Sequence, residues 1–259
     1  MDDLMVTGGN QFYFLLLLIF FRYVVLASIA FFVFYYVKRK TWSFKKIQKQ
    51  FPVFSDYQRE FLYSVSTALI FALLGYAFFF GPLAKYTLVY RDIHAHSIGY
   101  FILTIVLTLL LHDAYFYWTH RLMHHPRFFK YFHRIHHLST NPSPWAAMAF
   151  HPLEAAVEFG IVGIVPFIYP IHPLAIALFL LIMMIYNVYG HLGFELYSRR
   201  FTMSTVGKWI NTSVNHNQHH QYFVGNYGLY FLWWDRWMGT LRKDYDHEFD
   251  EVKARKPDQ

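Results

Sequence analysis

Three histidine clusters stand out along the chain: His120 with His124, then His133, His136 and His137, then His216, His219 and His220. Neutral imidazole is the commonest side-chain ligand for transition metals, so the spacing of these rings comes first. Residues four apart on a helix project from one face, and His120 and His124 can therefore reach one ion. The second and third clusters repeat one pattern, His-x-x-His-His, whose first, fourth and fifth positions share a face if the segment is helical. Eight rings exceed what a single ion can use, because transition metals take roughly four to six ligands. The pattern predicts two metals held close together.

Other polar residues extend this constellation. His191 stands four residues after Asn187 and four before Glu195. It is expected as a ninth ligand, with a structural role at an interface as the alternative. His151, in His151-Pro152-Leu153-Glu154, is expected either as a ligand or as a group that orients one. His125 lies about 100° around a helix from His124 and is left out of the ligand set. His94, His96, His172 and His247 have no partner at helical spacing and read as caps or packing residues. Asp113 precedes His120 by seven residues and His124 by eleven, close to two and three whole turns. It is expected as an acceptor that orients a ligating imidazole, and a carboxylate hydrated at a membrane edge is the alternative.

The elements that must position these residues are greasy. Of 259 residues, 56% are hydrophobic and only 15% charged, whereas a soluble surface wants about a quarter to a third charged side chains. A soluble enzyme is excluded. The expected fold is an all-α integral membrane protein, with about four to five transmembrane or re-entrant helices and a cytoplasmic histidine-rich helical cap. The absence of cysteine removes disulfides, thiolate-ligated haem, cysteine-ligated iron–sulfur clusters and thiol nucleophiles.

Residues 12–36 are apolar except for Arg22, which is expected to face other helices or to snorkel. The opening Met1-Asp2-Asp3 is acidic where a signal peptide is basic, so a retained anchor is expected. Ser55 with Gln58 gives a capping-box signature ahead of a second apolar run, 61–80, which Gly81-Pro82 closes. A third run covers 99–118. Residues 152–189 read as a helical hairpin broken at Pro170-Ile171-His172-Pro173.

Short cytoplasmic loops collect Lys and Arg. Residues 37–61 hold seven, 119–151 four and 191–259 nine, whereas 82–97 hold only Lys85 and Arg91. This places the histidine boxes and the C-terminus on the cytoplasmic side. The net charge of +7 then reflects membrane topology, with no nucleic-acid partner implied. The reading divides the chain into an N-terminal membrane anchor (1–98), a catalytic region (99–245) and a flexible tail (246–259). Trp118, Trp145, Trp209, Trp233, Trp234 and Trp237 are expected in an interfacial belt, and Arg236 is expected to pair with Asp235.

The placement of the metal site narrows the chemistry. A zinc hydrolase of the common sort carries His-Glu-x-x-His, and the single His-Glu pair, His247-Glu248, lacks the second histidine. A metal transporter places polar residues within its spans rather than beyond them. A dinuclear site at the ends of membrane helices suits oxidation of a lipid C–H bond. A membrane zinc-dependent hydrolase and a non-enzymatic metal-binding membrane protein are the alternatives.

The strings Asp113-Ala-Tyr-Phe-Tyr-Trp-Thr-His120-Arg121-Leu-Met-His124-His125, Tyr131-Phe-His133-Arg-Ile-His136-His137 and His216-Asn-Gln-His219-His220 resemble the fatty acid hydroxylase/sterol desaturase superfamily. The ending Asn226-Tyr227-Gly228, Trp234-Asp235-Arg236 and Gly239-Thr240 is similar too, and the resemblance covers roughly residues 99–245. Within the superfamily, Pro142-Ser-Pro144-Trp145 and Ala149-Phe150-His151-Pro152 look most like the sterol C-5 desaturase branch. The resemblance implies a membrane di-iron oxygenase, with two Fe per chain and O2 as co-substrate, that hydroxylates or desaturates a sterol or fatty-acyl lipid. The family's three boxes fall on His120, His124, His133, His136, His137, His216, His219 and His220. Electrons are expected from NAD(P)H through a separate carrier, because the chain has neither a GxGxxG fingerprint nor a cysteine. A ferredoxin-like or cytochrome b5-like protein, with its reductase, is expected to dock on the basic side.

Overall fold

Inside a bilayer no water bonds the backbone N–H and C=O groups, so apolar runs must coil upon themselves. The computed structural model, which describes residues 8–257, consists of helices and loops. They are α1 (Gly8–Phe31, prolonged by a π-helical stretch Phe32–Val37), α2 (Phe54–Phe79), α3 (Ile98–Met123), α4 (Pro126–Phe132) and α5 (Pro152–Ile168). There follow α6 (Pro173–Gly190), α7 (Arg199–Thr202), α8 (Ser213–Tyr222), α9 (Trp233–Trp237) and α10 (Tyr245–Ala254). Among the described residues no strand forms, only the isolated bridges Lys46–Phe194, Val89–Ile171 and Ile210–Phe231. Met1, Asp2, Asp3 and Asp258 lie outside the described residues.

Four helices, within Gly9–Val37, Phe54–Phe79, Ile98–Met123 and Pro173–Gly190, are long and apolar enough to cross a membrane. Their outer faces expose Phe14, Phe21, Leu62, Leu73, Ile102 and Leu110, a surface that water penalises and lipid accepts. The protein is an all-α, multi-pass membrane protein. Its α5, with 17 residues, spans about 25 Å at 1.5 Å per residue.

Four expectations are corrected. The helix α2 begins at Phe54 rather than behind Ser55, and the Asp56 carboxylate accepts the Val53 N–H at 3.1 Å. A carboxylate is the stronger acceptor and complements the positive end of the helix dipole. Residues 152–189 do not form a closely paired hairpin: α5 packs chiefly on α2 and α3, while α6 packs on α3 and α1. The first two helices are not a separate anchor, because Tyr23, Ala27, Ala68 and Phe71 share one core with Phe159, Val162 and Phe179. Finally, the described part of the expected flexible tail, residues 246–257, is held against the fold. Their sequence places Tyr245, Phe249 and Val252 on one face of α10, and that face is buried against Ile47, Val214 and Leu232. Arg255 fastens the end of this segment by donating to the carbonyls of Lys46 and Ile47.

Candidate metal centre

The first two histidine boxes sit where helices end. His120 occupies the last turn of α3 and His124 its C-cap. The chain then enters the short helix α4, ends it at His133 and turns through a 3-10 segment, His136–Leu138. The third box lies on α8, whose N-cap Thr212 accepts the Asn215 N–H at 3.2 Å. His191 caps the C-terminus of α6. Gly190 beside it permits the close approach of α8, since a Cβ there would stand 3.3 Å from His216 Cδ2.

These segments bring nine imidazoles into two groups. His120, His124, His133, His137 and His219 form one, and His136, His191, His216 and His220 form the other. Each His-x-x-His-His box therefore serves both groups, contrary to the shared face expected of its three rings. The pairs four apart, His133 with His137 and His216 with His220, stay together, while His136 and His219 cross to the opposite group. The second box, His133 to His137, departs from regular helix between His133 and His136, and on the regular helix α8 the adjacent rings His219 and His220 point about 100° apart.

Within each group the ring nitrogens converge. His120 Nε2 lies 2.9 Å from His133 Nε2, and the Nε2 atoms of His124, His137 and His219 are 3.0–3.1 Å apart. In the second group His191 Nε2 stands 3.0 Å from that of His216, 3.1 Å from that of His220 and 3.2 Å from that of His136. Backbone carbonyls fix several tautomers. His191 Nδ1 faces Asn187 O at 2.8 Å, His220 Nδ1 faces Ser139 O at 2.9 Å, His219 Nδ1 faces Gly225 O at 2.8 Å and His120 Nδ1 faces Tyr227 O at 2.9 Å. A carbonyl can only accept, so Nδ1 carries the proton and Nε2 of the neutral ring is a lone pair. Between His191 and His220 two lone pairs face each other. They repel unless a cation lies between them, and the donor set therefore fits a transition-metal ion in each group. Burial first, and neighbouring imidazoles second, push His133, His136, His137, His216, His219 and His220 well below the usual imidazole range. Neutral rings are the form a metal requires.

The carboxylate that orients a ligating ring is Glu154, which the sequence argument passed over. Its Oε1 lies 2.5 Å from His133 Nδ1, and its Oε2 accepts the His151 N–H at 3.4 Å. A glutamate in an apolar run at the membrane edge is costly without a partner, and that was the available signal. Asp113 does not take the expected role. Its Oδ1 accepts the Tyr230 and Phe231 N–H groups and its Oδ2 accepts Trp233 Nε1–H at 2.6 Å, so it binds the loop ahead of α9 rather than an imidazole. Asp235 likewise ignores Arg236: it accepts the Tyr227 N–H at 2.9 Å, the Gly228 N–H at 2.8 Å and the Thr240 hydroxyl. These bonds shape the stretch whose carbonyls at Gly225 and Tyr227 hold His219 and His120. Trp145 leaves the expected belt and packs edge-on against Tyr23 and Phe61.

Three histidines share a different fate. His125, His151 and His172 each precede a proline that opens a helix, and each Nδ1 accepts the N–H two residues on, at 3.3, 3.2 and 3.0 Å. His151 is thus an N-cap, neither a ligand nor a group on a ligand. Replacing His125 or His151 with alanine should leave bound metal unchanged and cost about 1 kcal/mol of stability, the usual worth of an N-cap. Metal analysis beside thermal unfolding checks this, and metal loss in either variant would overturn the cap assignment.

Beside the two groups, enclosed by α1, α2, α3, α5 and α6, lies a mostly apolar cavity of about 50 Å³. Phe116 and Phe150 line it and also touch the imidazoles, with ring centroids 4.9 Å from His120 and 5.2 Å from His136. Residues of both α5 and α6 line this space.

Comparison with known proteins places the chain among relatives. A family model described as fatty acid hydroxylase matches residues 105–240. A Delta(7)-sterol 5(6)-desaturase of Gibberella zeae is 32% identical over 173 residues, covering 67% of this chain and 52% of that protein. A Delta(7)-sterol 5(6)-desaturase of Aspergillus fumigatus is 29% identical over 205 residues, covering 71% and 62%. Lathosterol oxidase of Homo sapiens is 29% identical over 194 residues, covering 74% and 63%. The chain thus spans between about half and two thirds of the length of these relatives. No solved structure matches it.

Proposed function

This chain belongs to the fatty acid hydroxylase family, and we propose that it is an oxidoreductase that uses two iron ions and O2 to hydroxylate or desaturate an unactivated C–H bond of a membrane lipid. The observation that carries the reading is the pair of adjoining imidazole groups whose lone pairs converge beside an apolar cavity in a membrane protein. The names of the relatives direct the choice of lipid to a sterol. His120, His124, His133, His137 and His219 would hold one ion, and His136, His191, His216 and His220 the other. Bound there, the metals supply oxygen activation and hydrogen removal.

The remaining groups orient and shield. Glu154 fixes the ring of His133, and backbone carbonyls fix those of His120, His191, His219 and His220. Phe116 and Phe150 keep water from the imidazoles on the cavity side, and the apolar walls from α5 and α6 suit a lipid chain. Either reaction consumes O2, two electrons and two protons. Desaturation returns two waters, and hydroxylation returns one water with the alcohol.

The basic loops support placing the boxes on the cytoplasmic side. Gln48, in the loop with seven Lys and Arg, donates to Asn217 Oδ1 within the third box at 2.9 Å, so loop and box lie together. NAD(P)H would deliver electrons through a reductase and an acidic carrier, ferredoxin-like or cytochrome b5-like, whose encounter with this basic side is steered by charge. Lipid profiles of cells with and without the chain should differ by one added oxygen or two lost hydrogens in one lipid class. Reconstituted protein should need the carrier, at a rate that falls with salt. The absence of any such mass change in cells that contain metal-loaded protein would sink the reading.

A further inference from the structure

The cavity beside the metal groups is apolar except at a few points, and three of these come from three different helices. Arg22 on α1, His112 on α3 and Glu158 on α5 all line it. Arg22 Nε is buried and has no hydrogen-bond partner. His112 is 1% exposed; its Nδ1 meets the Tyr230 hydroxyl at 2.9 Å, and its Nε2 is buried without a partner. The Glu158 carboxyl, unlike Glu154 one turn before it, makes no hydrogen bond or ion pair among the described residues. A cation and an acid thus face one small space at membrane depth without touching each other, although leaving such groups unpaired in an apolar setting is costly.

We propose that Arg22, His112 and Glu158 form a subsite for the hydroxyl group of a lipid alcohol, bound so that its hydrocarbon reaches the two imidazole groups. This rests on the lipid-oxidising function above and names the feature by which the substrate is recognised. A guanidinium only donates and a carboxylate only accepts, whereas a hydroxyl oxygen does both and can bridge them. A fatty acid carboxylate or a phosphate would meet Glu158 with like charge, and an ester or ether oxygen would leave Glu158 unanswered. The cavity of about 50 Å³ is smaller than the roughly 300 Å³ from which ligand pockets ordinarily start. Its walls include Met148, Met183 and Met184, side chains that repack readily and can open around the carbons next to the hydroxyl. Glu158 lies one turn from Glu154, the partner of His133, and Asn187, also in the wall, lies one turn from His191. A carbon of a molecule held by its hydroxyl here stands within about one to two helical turns, ~5–11 Å, of the metal-binding rings.

The experiment is ligand binding to the metal-loaded, full-length protein in nanodiscs. The probes are lathosterol and 1-hexadecanol, each compared with its O-methyl ether, for the wild type and for Arg22→Met, His112→Gln and Glu158→Gln. At least one alcohol should bind about tenfold or more tightly than its ether, the worth of a hydrogen bond to a charged group. Arg22→Met and Glu158→Gln should bring that ratio to within about threefold of unity, and His112→Gln should lower it less, because a neutral donor is weaker. Thermal stability should hold or rise in the first two, since each removes an ionisable group that has no partner within the fold. Equal binding of alcohol and ether, no binding of either alcohol, or an unchanged ratio in both charge variants overturns the subsite. A loss of stability in either charge variant does so too, because it would show the groups to be paired within the fold. Failure of the lipid-oxidising function is read separately, as an unchanged lipid profile in cells.

Discussion

Alanine in place of His191 is expected to empty one metal position and leave the other filled, so that metal per chain falls by about half and lipid oxidation falls below about 1% of the wild type. The group His136, His191, His216 and His220 has four donors, and a transition-metal site needs about that many. In the same comparison His124→Ala should keep most of its metal. His124 is the half-buried member of a group of five, so four rings remain to hold the ion. Metal analysis of anaerobically purified protein, together with product formation by the same preparations, checks both variants. Unchanged metal in His191→Ala would remove this ring from the ligand set. Equal losses in the two variants would show that the groups do not bind independently.

Glu154→Gln should weaken metal retention roughly ten- to a hundredfold, the usual cost of losing a partner behind a ligating imidazole. Its carboxylate is the acceptor for His133 Nδ1, and an amide accepts that proton less strongly. Asp113→Asn separates the two carboxylates. Asp113 accepts from two backbone N–H groups and from Trp233, so the change should cost about 1–3 kcal/mol of stability through lost charge-assisted bonds while metal content stays near that of the wild type. Titration with a competing chelator reads the first effect and thermal unfolding the second. If Asp113→Asn released metal while Glu154→Gln did not, the roles given to the two carboxylates would be reversed.

The helical membrane architecture and the eight box histidines were legible in the sequence because both depend on local regularities. Apolar runs long enough to span need no distant information, and a repeated His-x-x-His-His is visible wherever it falls. The caps at His125, His151 and His172 were equally local: a histidine directly before a helix-opening proline has its Nδ1 within reach of the N–H beyond that proline, and the dipeptide recurs three times. The face of α10 was local too, in the spacing of Tyr245, Phe249 and Val252.

The division of the rings into five and four was decided by the tertiary structure. Periodicity tells which residues share a face on a regular helix, but the second box bends out of helix between His133 and His136. Its partners on α8 lie some eighty residues away in the chain. Which carboxylate backs an imidazole followed the same rule. Asp113 had the right spacing along α3, yet the loop ahead of α9 packs over it and takes its oxygens, while α5 brings Glu154 to His133 from a separate segment. Sequence alone determined that this chain gathers many imidazoles in the segments beyond its membrane helices. Which of them meet depended on how those helix ends pack, because contacts between distant segments are set by the summed fit of whole helices rather than by the spacing within any one of them.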